Sequence, residues 1–395
     1  MNVAERIPAV LLLEDGRTFR GNAFGAVGET LGEAVFATAM TGYQEELTDP
    51  SYCGQILVST APQIGNTGWN DIDGESLVND PTDRAIEEGM SGKIWVSGYA
   101  IRDYAKVPQS WRMERTLLDE MVKQEIVGIQ NIDTRALVRH LRDNGSMRAG
   151  IFSGEALTSK EKMLEKVLAQ PKAEGLDLVR EVSTPEAYVL EPHGEQRFEI
   201  AAIDLGLKAN SARHFVSRGI RVHVLPASAT WDDVKSLNVD GLFLSNGPGD
   251  PATADGPVKL VQQALENKMP IFGVCFGNQV LGQALGLETY KMKFGHRGVN
   301  IPVRDHDTGR ILITAQNHGF CLTGEPGEEF DTPYGRAQIS FSCPNDNTVE
   351  GVKLLDGSAF SVQFHPEASA GPHDAEYLFD RFVDVLDAHS QEGNN

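Results

Sequence analysis

Short apolar runs alternate with helix-length segments throughout the second half of the chain. Four runs fit strands: FEIAAID, IRVHVL, GLFLSNG and PIFGV, at residues 198–204, 220–225, 241–247 and 270–274. They are separated by KANSARHFVSRG, TWDDVKSLN and GPVKLVQQALENK, which have the length of helices. Strands that alternate with such segments are typical of βαβ units. The pattern predicts an α/β fold with a doubly wound, mostly parallel sheet, whose functional residues lie at the carboxyl ends of the strands.

The first half of the chain is richer in turns. Asp15-Gly16 lies between two strand-like runs, which predicts a β-hairpin. NIDTRALVRHLRDNG predicts a helix that Asp133 or Thr134 caps and Gly145 ends, and a second helical stretch begins at Glu155. We therefore predict a β-rich α+β domain at residues 1–152, a helical segment and linker at 153–197, and the α/β domain at 198–390.

The composition and charge of the chain limit the kinds of molecule that it could bind. The chain has 395 residues and a formal net charge of −21, with no basic run of the kind that binds nucleic acid. No apolar stretch approaches the ~20 residues that span a membrane, and the N-terminal apolar run is shorter than that of a signal peptide. The 4 cysteines form no C-x-x-C pair, which indicates reduced thiols and no zinc site. We expect a cytoplasmic protein without a nucleic-acid partner, a membrane partner or a metal.

One predicted strand end carries a cysteine between two glycines. Gly273-Val274-Cys275-Phe276-Gly277 joins a strand to a predicted helix, which is the arrangement of a nucleophile elbow. Glycines flank the nucleophile because Cβ atoms there would strike the adjacent strand and helix. The helix N-terminus would favour the thiolate of Cys275 over the thiol. By itself, this motif fits a buried, inert cysteine equally well.

A histidine and a carboxylate follow another strand-like run, AFSVQF. In His365-Pro366-Glu367, an extended backbone would place residues i and i+2 on the same side, so that Glu367 could orient the imidazole of His365. The loop SNGPGDP, residues 245–251, ends another predicted strand and could donate backbone N–H groups. Alone, His-Pro-Glu is typical of a turn after a strand. Together with the elbow, these motifs predict a Cys-His-Glu triad with an oxyanion hole.

These motifs resemble those of the class I (triad) glutamine amidotransferases over residues 198–390. The resemblance rests on GVCFGNQ, SNGPGDP, QNHGF at 316–320 and HPEAS at 365–369. Other motifs resemble the small, glutamine-hydrolysing subunits of carbamoyl-phosphate synthetases and extend the resemblance over nearly the whole chain: TAMTGYQEELTDPSY, PQIGNTG, NIDTRAL, KMKFGHRG and GPHDAE.

The resemblance implies a role for each site residue. Cys275 would attack the side-chain amide of glutamine and form a γ-glutamyl thioester, His365 would act as base and then acid, and Glu367 would hold His365. The backbone N–H groups of Phe276 and Gly247 would form the oxyanion hole. Further contacts with the substrate would come from Ser51, Gly249, Gln279, Asn317, Gly319 and Phe320.

Four of the substrate-binding residues also have an ordinary structural interpretation. Asn317 and Gly319 fit a turn, Phe320 fits a core, and Ser51 fits a cap after Asp49-Pro50. The elbow also departs from the Leu-Gly-His that is commoner in the family. Phe276 would act through its backbone, so its side chain should not affect the oxyanion hole, whereas the effect of Asn278 is left open.

The chain contains no G-x-x-x-x-G-K-[ST] phosphate-binding motif. The resemblance implies no cofactor in this chain, with ATP and Mg²⁺ on a separate large synthetase subunit that makes carbamoyl phosphate from bicarbonate. Ammonia would reach that subunit through an intermolecular tunnel. Two other functions stay open: a stand-alone hydrolase of glutamine or γ-glutamyl compounds, and a binding or regulatory module without catalytic activity.

Overall fold

The computed structural model describes residues 7–76 and 92–393, which form two compact units. Described residues up to 176 belong to the first unit, and residues from 177 onward belong to the second. The segment 153–197, predicted as a helical segment and linker, is therefore divided between the two units.

The first unit is built around a closed barrel. Its strands are β1 (Pro8–Leu13), β2 (Thr18–Gly25), β3 (Glu29–Ala37), β4 (Gln55–Ser59), β5 (Gly98–Ala100), β6 (Val127–Gln130) and β7 (Met147–Ser153). Its helices are α1 (Tyr43–Thr48), α2 (Leu117–Lys123), α3 (Thr134–Asn144) and α4 (Lys160–Ala169). The strand order is β1-β2-β6-β5-β4-β3-β7, and β7 pairs with β1 to close the barrel.

Local sequence signals explain several boundaries in the first unit. The predicted hairpin joins β1 to β2, and Gly16 adopts a positive φ of 83° in its turn. The predicted helix is α3: Asp133 accepts a hydrogen bond from the Ala136 N–H, and Gly145 follows the last helical residue. The β-rich character of this unit agrees with the prediction.

The second unit is a three-layer α/β structure. Its strands are β8 (Tyr188–Leu190), β9 (Phe198–Asp204), β10 (Ile220–Pro226), β11 (Gly241–Leu244), β12 (Ile271–Val274), β13 (Thr289–Asp305), β14 (Ile311–Leu322), β15 (Glu329–Thr332), β16 (Gly335–Ser342), β17 (Val349–Leu354) and β18 (Ala359–Val362). Its helices are α5 (Val179–Val182), α6 (Ala209–Val216), α7 (Trp231–Leu237), α8 (Asp255–Glu266), α9 (Phe276–Ala284) and α10 (Tyr377–Gly393).

The centre of this sheet is parallel and its edges are antiparallel. Strands β10, β9, β11, β12 and β18 are parallel neighbours in that order. Beyond β18 the sheet continues antiparallel through β17, β16, β13 and β14, and β8 is antiparallel to β10. The predicted doubly wound parallel core is thus confirmed, with an antiparallel extension that the alternating pattern did not predict.

Helices cover both faces of the parallel strands. On one face, side chains of α7, α8 and α9 pack in one hydrophobic cluster, represented by Val234, Leu260 and Val280. On the other face, α6 and α10 contribute residues such as Phe215 and Phe382 to a second cluster. Because β9, β11, β12 and β18 are parallel, the turns that follow these strands lie at one end of the sheet. Within the described ranges, every helix is too short or too polar to cross a lipid bilayer.

Candidate active site

Cys275 lies in a sharp turn between β12 and α9. Its φ of 56° and ψ of −102° are unusual for a residue with a Cβ. Its backbone N–H donates to the Val362 carbonyl of β18 over 2.8 Å, which fixes the turn against the neighbouring strand. The side chain is buried at the start of α9. This backbone is the strand, turn and helix of a nucleophile elbow.

The two glycines of the elbow have no room for a side chain. A Cβ on Gly273 would lie 2.8 Å from the Gly277 carbonyl oxygen, and a Cβ on Gly277 would collide with the Leu244 carbonyl oxygen. The close packing of β11, β12 and α9 thus requires glycine at both positions, as the sequence motif indicates.

His365 and Glu367 form a buried pair in the turn after β18. The distance between His365 Nδ1 and Glu367 Oε1 is 2.7 Å, and both side chains are almost completely buried. A proton on Nδ1 fixes the orientation of the ring and leaves Nε2 to exchange a proton with another group. Such an arrangement can activate a nucleophile.

The backbone that makes this pair differs from the predicted one. His365 forms a β-bridge with Ala315, but Pro366 and Glu367 lie in a turn rather than in an extended segment. The Ala368 N–H approaches the His365 carbonyl oxygen at 3.4 Å, and Ala368 has a positive φ of 54°. A tight turn brings residues i and i+2 together without the alternation expected of a strand.

Lys208 is a third charged member of this group, and the sequence analysis missed it. Its Nζ lies 3.2 Å from Glu367 Oε1 and donates to the Ser369 carbonyl oxygen over 2.9 Å. Only 4% of Lys208 is exposed. The residue lies between β9 and α6, at the carboxyl end of a parallel strand. Inspection of all the strand ends, including DLGLK after β9, would have found it.

Burial and neighbouring charges act in opposite directions on the pKa values of this group. Burial lowers the pKa of His365, and so does the Lys208 charge, but the Glu367 carboxylate and the interaction with nearby Cys275 together outweigh them and raise that pKa. Burial alone would raise the pKa of Glu367, whereas Lys208 and His365 together hold it below its usual range. Glu367 is therefore held as a carboxylate, and an imidazolium that forms at His365 is stabilised there.

Strand β14 supports the catalytic residues through its backbone. The Ala315 carbonyl accepts a hydrogen bond from the His365 N–H at 2.8 Å, and the Asn317 carbonyl accepts one from Cys275 Sγ at 3.6 Å. The Phe320 carbonyl accepts one from Gln279 Nε2 at 2.9 Å. Asn317 and Gly319, for which the structural alternative was a turn, lie within this strand. The structure thus places Asn317 beside Cys275 and joins Gln279 of α9 to Phe320 of β14.

The loop 245–251 lies beside the elbow. The Ser245 carbonyl accepts a hydrogen bond from the Gly277 N–H at 3.0 Å, and Ser245 Oγ accepts one from the Leu205 N–H at 2.9 Å. Gly247 packs so closely against Leu205 that a Cβ would collide with the Leu205 carbonyl oxygen, while Gly249 has a positive φ of 90°. Glycine at 247 and 249 gives this loop its course past the start of α9.

Asn278, the departure from the commoner elbow, lies underneath it in a network of buried amides. Its Oδ1 accepts a hydrogen bond from Ser361 Oγ at 2.9 Å, and its Nδ2 donates to Gln363 Oε1 over 3.2 Å. Gln279 Nε2 donates to the same Gln363 oxygen over 3.1 Å. Asn278 thus connects α9 to β18 and helps to place Gln279.

Ser51 belongs to the first unit. It lies in a short 3₁₀ helix, Pro50–Tyr52, and is buried. Asp49, not Ser51, is the capping residue: its Oδ1 accepts a hydrogen bond from the Ser51 N–H at 2.9 Å. The cap interpretation of Ser51 is therefore wrong, and its contact with substrate stays a prediction.

Two overlapping groups of side chains in the described part of the second unit have the spacing of a metal site: His296, His318 and Glu350, and His296, Cys343 and Asp346. In each group the three possible ligand atoms lie within 4.8 Å of one another. Burial lowers the pKa of His296, but hydrogen bonds to Asp346 and Glu350 raise it to about 10. The imidazole of His296 is thus bonded to two carboxylates and is part of a buried ionic network.

Two family models match the chain. A model of the class I glutamine amidotransferases matches residues 201–385, and a model of the carbamoyl-phosphate synthase small chain, CPSase domain, matches residues 11–151. The first match contains Cys275, His365 and Glu367, and the second contains Ser51. These ranges correspond to the two compact units.

Curated relatives match over nearly their full lengths. A carbamoyl phosphate synthase small chain of Mycobacterium leprae is 60% identical over 383 residues, covering 96% of this chain and 99% of the relative. A protein with the same name from Mycolicibacterium paratuberculosis is 59% identical and covers 96% of this chain and 98% of the relative. Another, from Corynebacterium diphtheriae, is 57% identical and covers 99% of this chain and 100% of the relative. A solved structure from Thermoplasma acidophilum, provisionally described as one component of a GMP synthase, aligns with 51% of this chain and 100% of its own at 18% identity. Its TM-score of 0.42 is too low to bear on fold or function.

Proposed function

The chain belongs to the carbamoyl phosphate synthase small chain family, and from that premise we propose that it hydrolyses L-glutamine and supplies ammonia for carbamoyl phosphate synthesis. The observation that carries the proposal is the buried Cys275 in a nucleophile elbow, next to the His365–Glu367 pair. A cysteine so placed beside an imidazole suits attack on an amide carbonyl.

The proposed reaction has two stages. In the first, Cys275 Sγ forms a bond to the side-chain amide carbon of glutamine, and its proton passes to His365. His365 then protonates the amide nitrogen, ammonia leaves, and a γ-glutamyl thioester remains. In the second stage water attacks the thioester carbon and gives its proton to His365, glutamate forms, and the proton returns to the sulfur. Glu367, which Lys208 contacts, keeps His365 oriented and stabilises the imidazolium each time it forms.

The other site residues would hold the substrate and its developing charge. The N–H groups of Phe276 and Gly247 would stabilise the oxyanion, since both belong to the turns that meet beside Cys275. Gly249, Gln279, Asn317, Gly319 and Phe320 would contact the amide, amino and carboxylate groups of glutamine. Ser51 of the first unit would contribute one further contact.

A large synthetase subunit is the proposed partner. It would receive the ammonia without exposing it to bulk water, because ammonia is protonated in water. We assign no cofactor to this chain, and we assign ATP and Mg²⁺ to that partner. A cytoplasmic location stays a prediction. The same reaction would also serve a stand-alone glutamine or γ-glutamyl hydrolase, which would need no partner. A binding module without catalytic activity is less favoured, because burying the charges around His365 costs free energy of folding.

Cys275→Ser tests the proposal in the assembled enzyme. We expect glutamine-dependent carbamoyl phosphate synthesis to fall by at least about 10³-fold, because the alcohol is a much weaker nucleophile than the thiolate. Synthesis from added ammonium salt should stay near the wild-type rate, since only the ammonia source is lost. Retained use of glutamine would remove Cys275 as the nucleophile. Full glutamine hydrolysis without any large subunit would favour the stand-alone hydrolase.

A further inference from the structure

Behind β14 lies a buried ionic network that the proposed reaction does not use. Its centre is Glu350 of β17, whose side chain is completely buried. Around it are His296 of β13, Gln316 and His318 of β14, and Asp346 in the turn before β17. We call these five residues the Glu350 cluster.

Direct hydrogen bonds connect Glu350 to β14. Glu350 Oε2 accepts from Gln316 Nε2 at 3.1 Å, and Gln316 Oε1 accepts from His296 Nδ1 at 3.0 Å. His296 Nδ1 also lies 3.3 Å from Glu350 Oε1. The side chain of Gln316 is therefore held at both ends, by a carboxylate and by an imidazole.

The cluster is anchored on its outer side as well. His296 Nε2 donates to Asp346 Oδ2 over 2.9 Å, and the imidazole thus bridges two carboxylates. Thr348 Oγ1 donates to Asp346 Oδ1 over 2.9 Å and lies 3.3 Å from Glu350 Oε1. The positions of His296 and Glu350 are thus set from several directions.

Within β14, the residues of the cluster alternate with those that touch the catalytic centre. Gln316 and His318 face the cluster, while the backbone carbonyls of Ala315 and Asn317 accept hydrogen bonds from His365 and Cys275. His318 also reaches the substrate side, because its Nδ1 lies 2.8 Å from the Phe320 carbonyl oxygen. A shift of Gln316 along or across the sheet would therefore move the carbonyl groups that Cys275 and His365 use.

We propose that Glu350 is a positioning residue for glutamine binding, acting through Gln316 and His296 to hold the 315–320 segment of β14 in register with Cys275 and Gln279. This inference rests on the proposed function. It gives a role to residues that are remote from the reacting atoms.

The chemistry of the Glu350 cluster suits the positioning of strands better than the stabilisation of the hydrophobic core. Burying charged groups costs free energy, and well-packed apolar side chains of similar volume often stabilise a core as well or better. Directed hydrogen bonds, by contrast, fix the relative positions of three strands, β13, β14 and β17, in a way that apolar contacts do not. Opposite residues 316–318 of β14, strand β13 is in regular register only from His296 to Gly298, with a register shift on either side of these three pairs. The ladder that holds this part of β14 is therefore short, and the hydrogen bonds of the Glu350 cluster add to it.

The test is steady-state glutamine hydrolysis by the assembled enzyme carrying Glu350→Leu, Glu350→Gln or Gln316→Met. We expect Glu350→Leu to raise the KM for glutamine roughly tenfold, because the substrate contacts on β14 are displaced. The kcat should fall by less than about threefold, since the triad itself is intact. Glu350→Gln keeps the shape of the side chain but places an N–H opposite the donating His296. We therefore expect a KM between those of the wild type and Glu350→Leu.

A double variant checks that Glu350 acts through Gln316. If both residues belong to one chain of contacts, the KM of Glu350→Leu with Gln316→Met should rise much less than the product of the two single effects. The double variant also remains informative if Glu350→Leu alone yields little folded protein, because it removes both members of the buried pair.

Val352→Ala is the matched control. Val352 is buried, lies two residues from Glu350 in β17, and belongs to a hydrophobic cluster. The substitution should lower the melting temperature but leave the KM for glutamine within about twofold of wild type. If the wild type is active and Glu350→Leu leaves the KM for glutamine unchanged, the positioning role of Glu350 is wrong, while the proposed function stands. The same holds if Val352→Ala raises the KM as much as Glu350→Leu does. A wild type that hydrolyses no glutamine with its large subunit would overturn the proposed function and this inference with it.

Discussion

At the scale of single residues, the candidate site is an electrostatic arrangement as much as a geometric one. His365 is buried yet has a raised pKa, because the Glu367 carboxylate and nearby Cys275 together outweigh the cost of burying the imidazolium. Lys208 in turn keeps Glu367 ionised. The three charges are mutually dependent, so that changing one should shift the protonation of the others.

Glu367→Gln should therefore lower the pKa of His365, by roughly 1–3 units, because a neighbouring carboxylate is lost while burial and the Lys208 charge remain. The pKa of His365 can be followed by NMR titration of the imidazole carbon-bound protons, with His365→Asn to assign the signal. Glutamine hydrolysis should fall less in Glu367→Gln than in His365→Asn, since the base is retained. An unshifted titration would show that Glu367 does not set the charge of His365.

The same variant should change the response to acid. The lowered pKa of Glu367 contributes stability that is present above its unfolded pKa of about 4.3 and is lost as the pH falls through the folded value. In Glu367→Gln that contribution is absent at every pH. Melting temperatures of the two proteins should therefore differ most near neutral pH and converge as the pH falls below about 4.

The residues found from sequence are those whose motifs are local. Cys275 stands out because two glycines and a strand surround it, and His365 and Glu367 are only two positions apart. Lys208 and Glu350 carry no such local signal. Their importance comes from partners 159 and 34 positions away, Glu367 and Gln316. Only the packing of distant strands brings those partners together.

At the scale of elements, the elbow is the part of the site with the least tolerance. Strand β12 and helix α9 approach β11 so closely that Gly277 touches the Leu244 backbone. Overpacked positions of this kind relax only by moving the surrounding backbone. The catalytic geometry and the local stability are therefore set by the same contact.

Gly277→Ala should destabilise the protein by about 2–4 kcal/mol and greatly reduce glutamine hydrolysis, because the new Cβ meets backbone atoms that cannot rotate away. Gly256→Ala is the control: it also alters the second residue of a helix, α8, but its Cβ would have nothing within 4 Å. That change should be neutral or stabilising by up to about 1 kcal/mol. Urea unfolding measures both, and equal effects would contradict this account of the elbow.

The elements predicted best are the parallel strands and their helices. Strand β9 spans Phe198–Asp204, as the pattern predicts, and β10, β11 and β12 agree within three residues at each end. Their near-continuous apolar runs reflect burial on both faces. Strand β13 has a mixed burial pattern and is interrupted by register shifts. Such a segment lacks the regular alternation on which a strand prediction depends.

At the scale of the whole molecule, the chain divides into a barrel unit and an α/β unit, each with its own hydrophobic clusters. The closure of the barrel was not predicted, because it depends on β7 pairing with β1, and these strands are more than 130 positions apart. Sequence patterns identify strands, but they do not reveal which distant edges pair. The family matches, by contrast, cover each unit separately.

A chain that serves a synthetase should not release ammonia when the synthetase is idle. The loop 245–251 offers a place for such control. Its start is held by the hydrogen bonds of Ser245 to Gly277 and Leu205, and its end by Asp250, whose Oδ1 accepts from the Ala252 N–H at 2.9 Å. Between these anchors lie Gly247 and Gly249, and a small backbone rotation there would turn the Gly247 N–H away from the position that we propose for the substrate oxygen.

The isolated chain should consequently be a slow glutaminase, and adding the large subunit with ATP and bicarbonate should raise kcat by about 10²- to 10³-fold, the usual effect of one oxyanion donor. Steady-state glutamate release with and without the partner measures this. Iodoacetamide should still alkylate Cys275 in the isolated chain, because the elbow that holds this cysteine belongs to this chain. An isolated chain that already turns over glutamine at the rate of the loaded complex would show that the loop is not a control point.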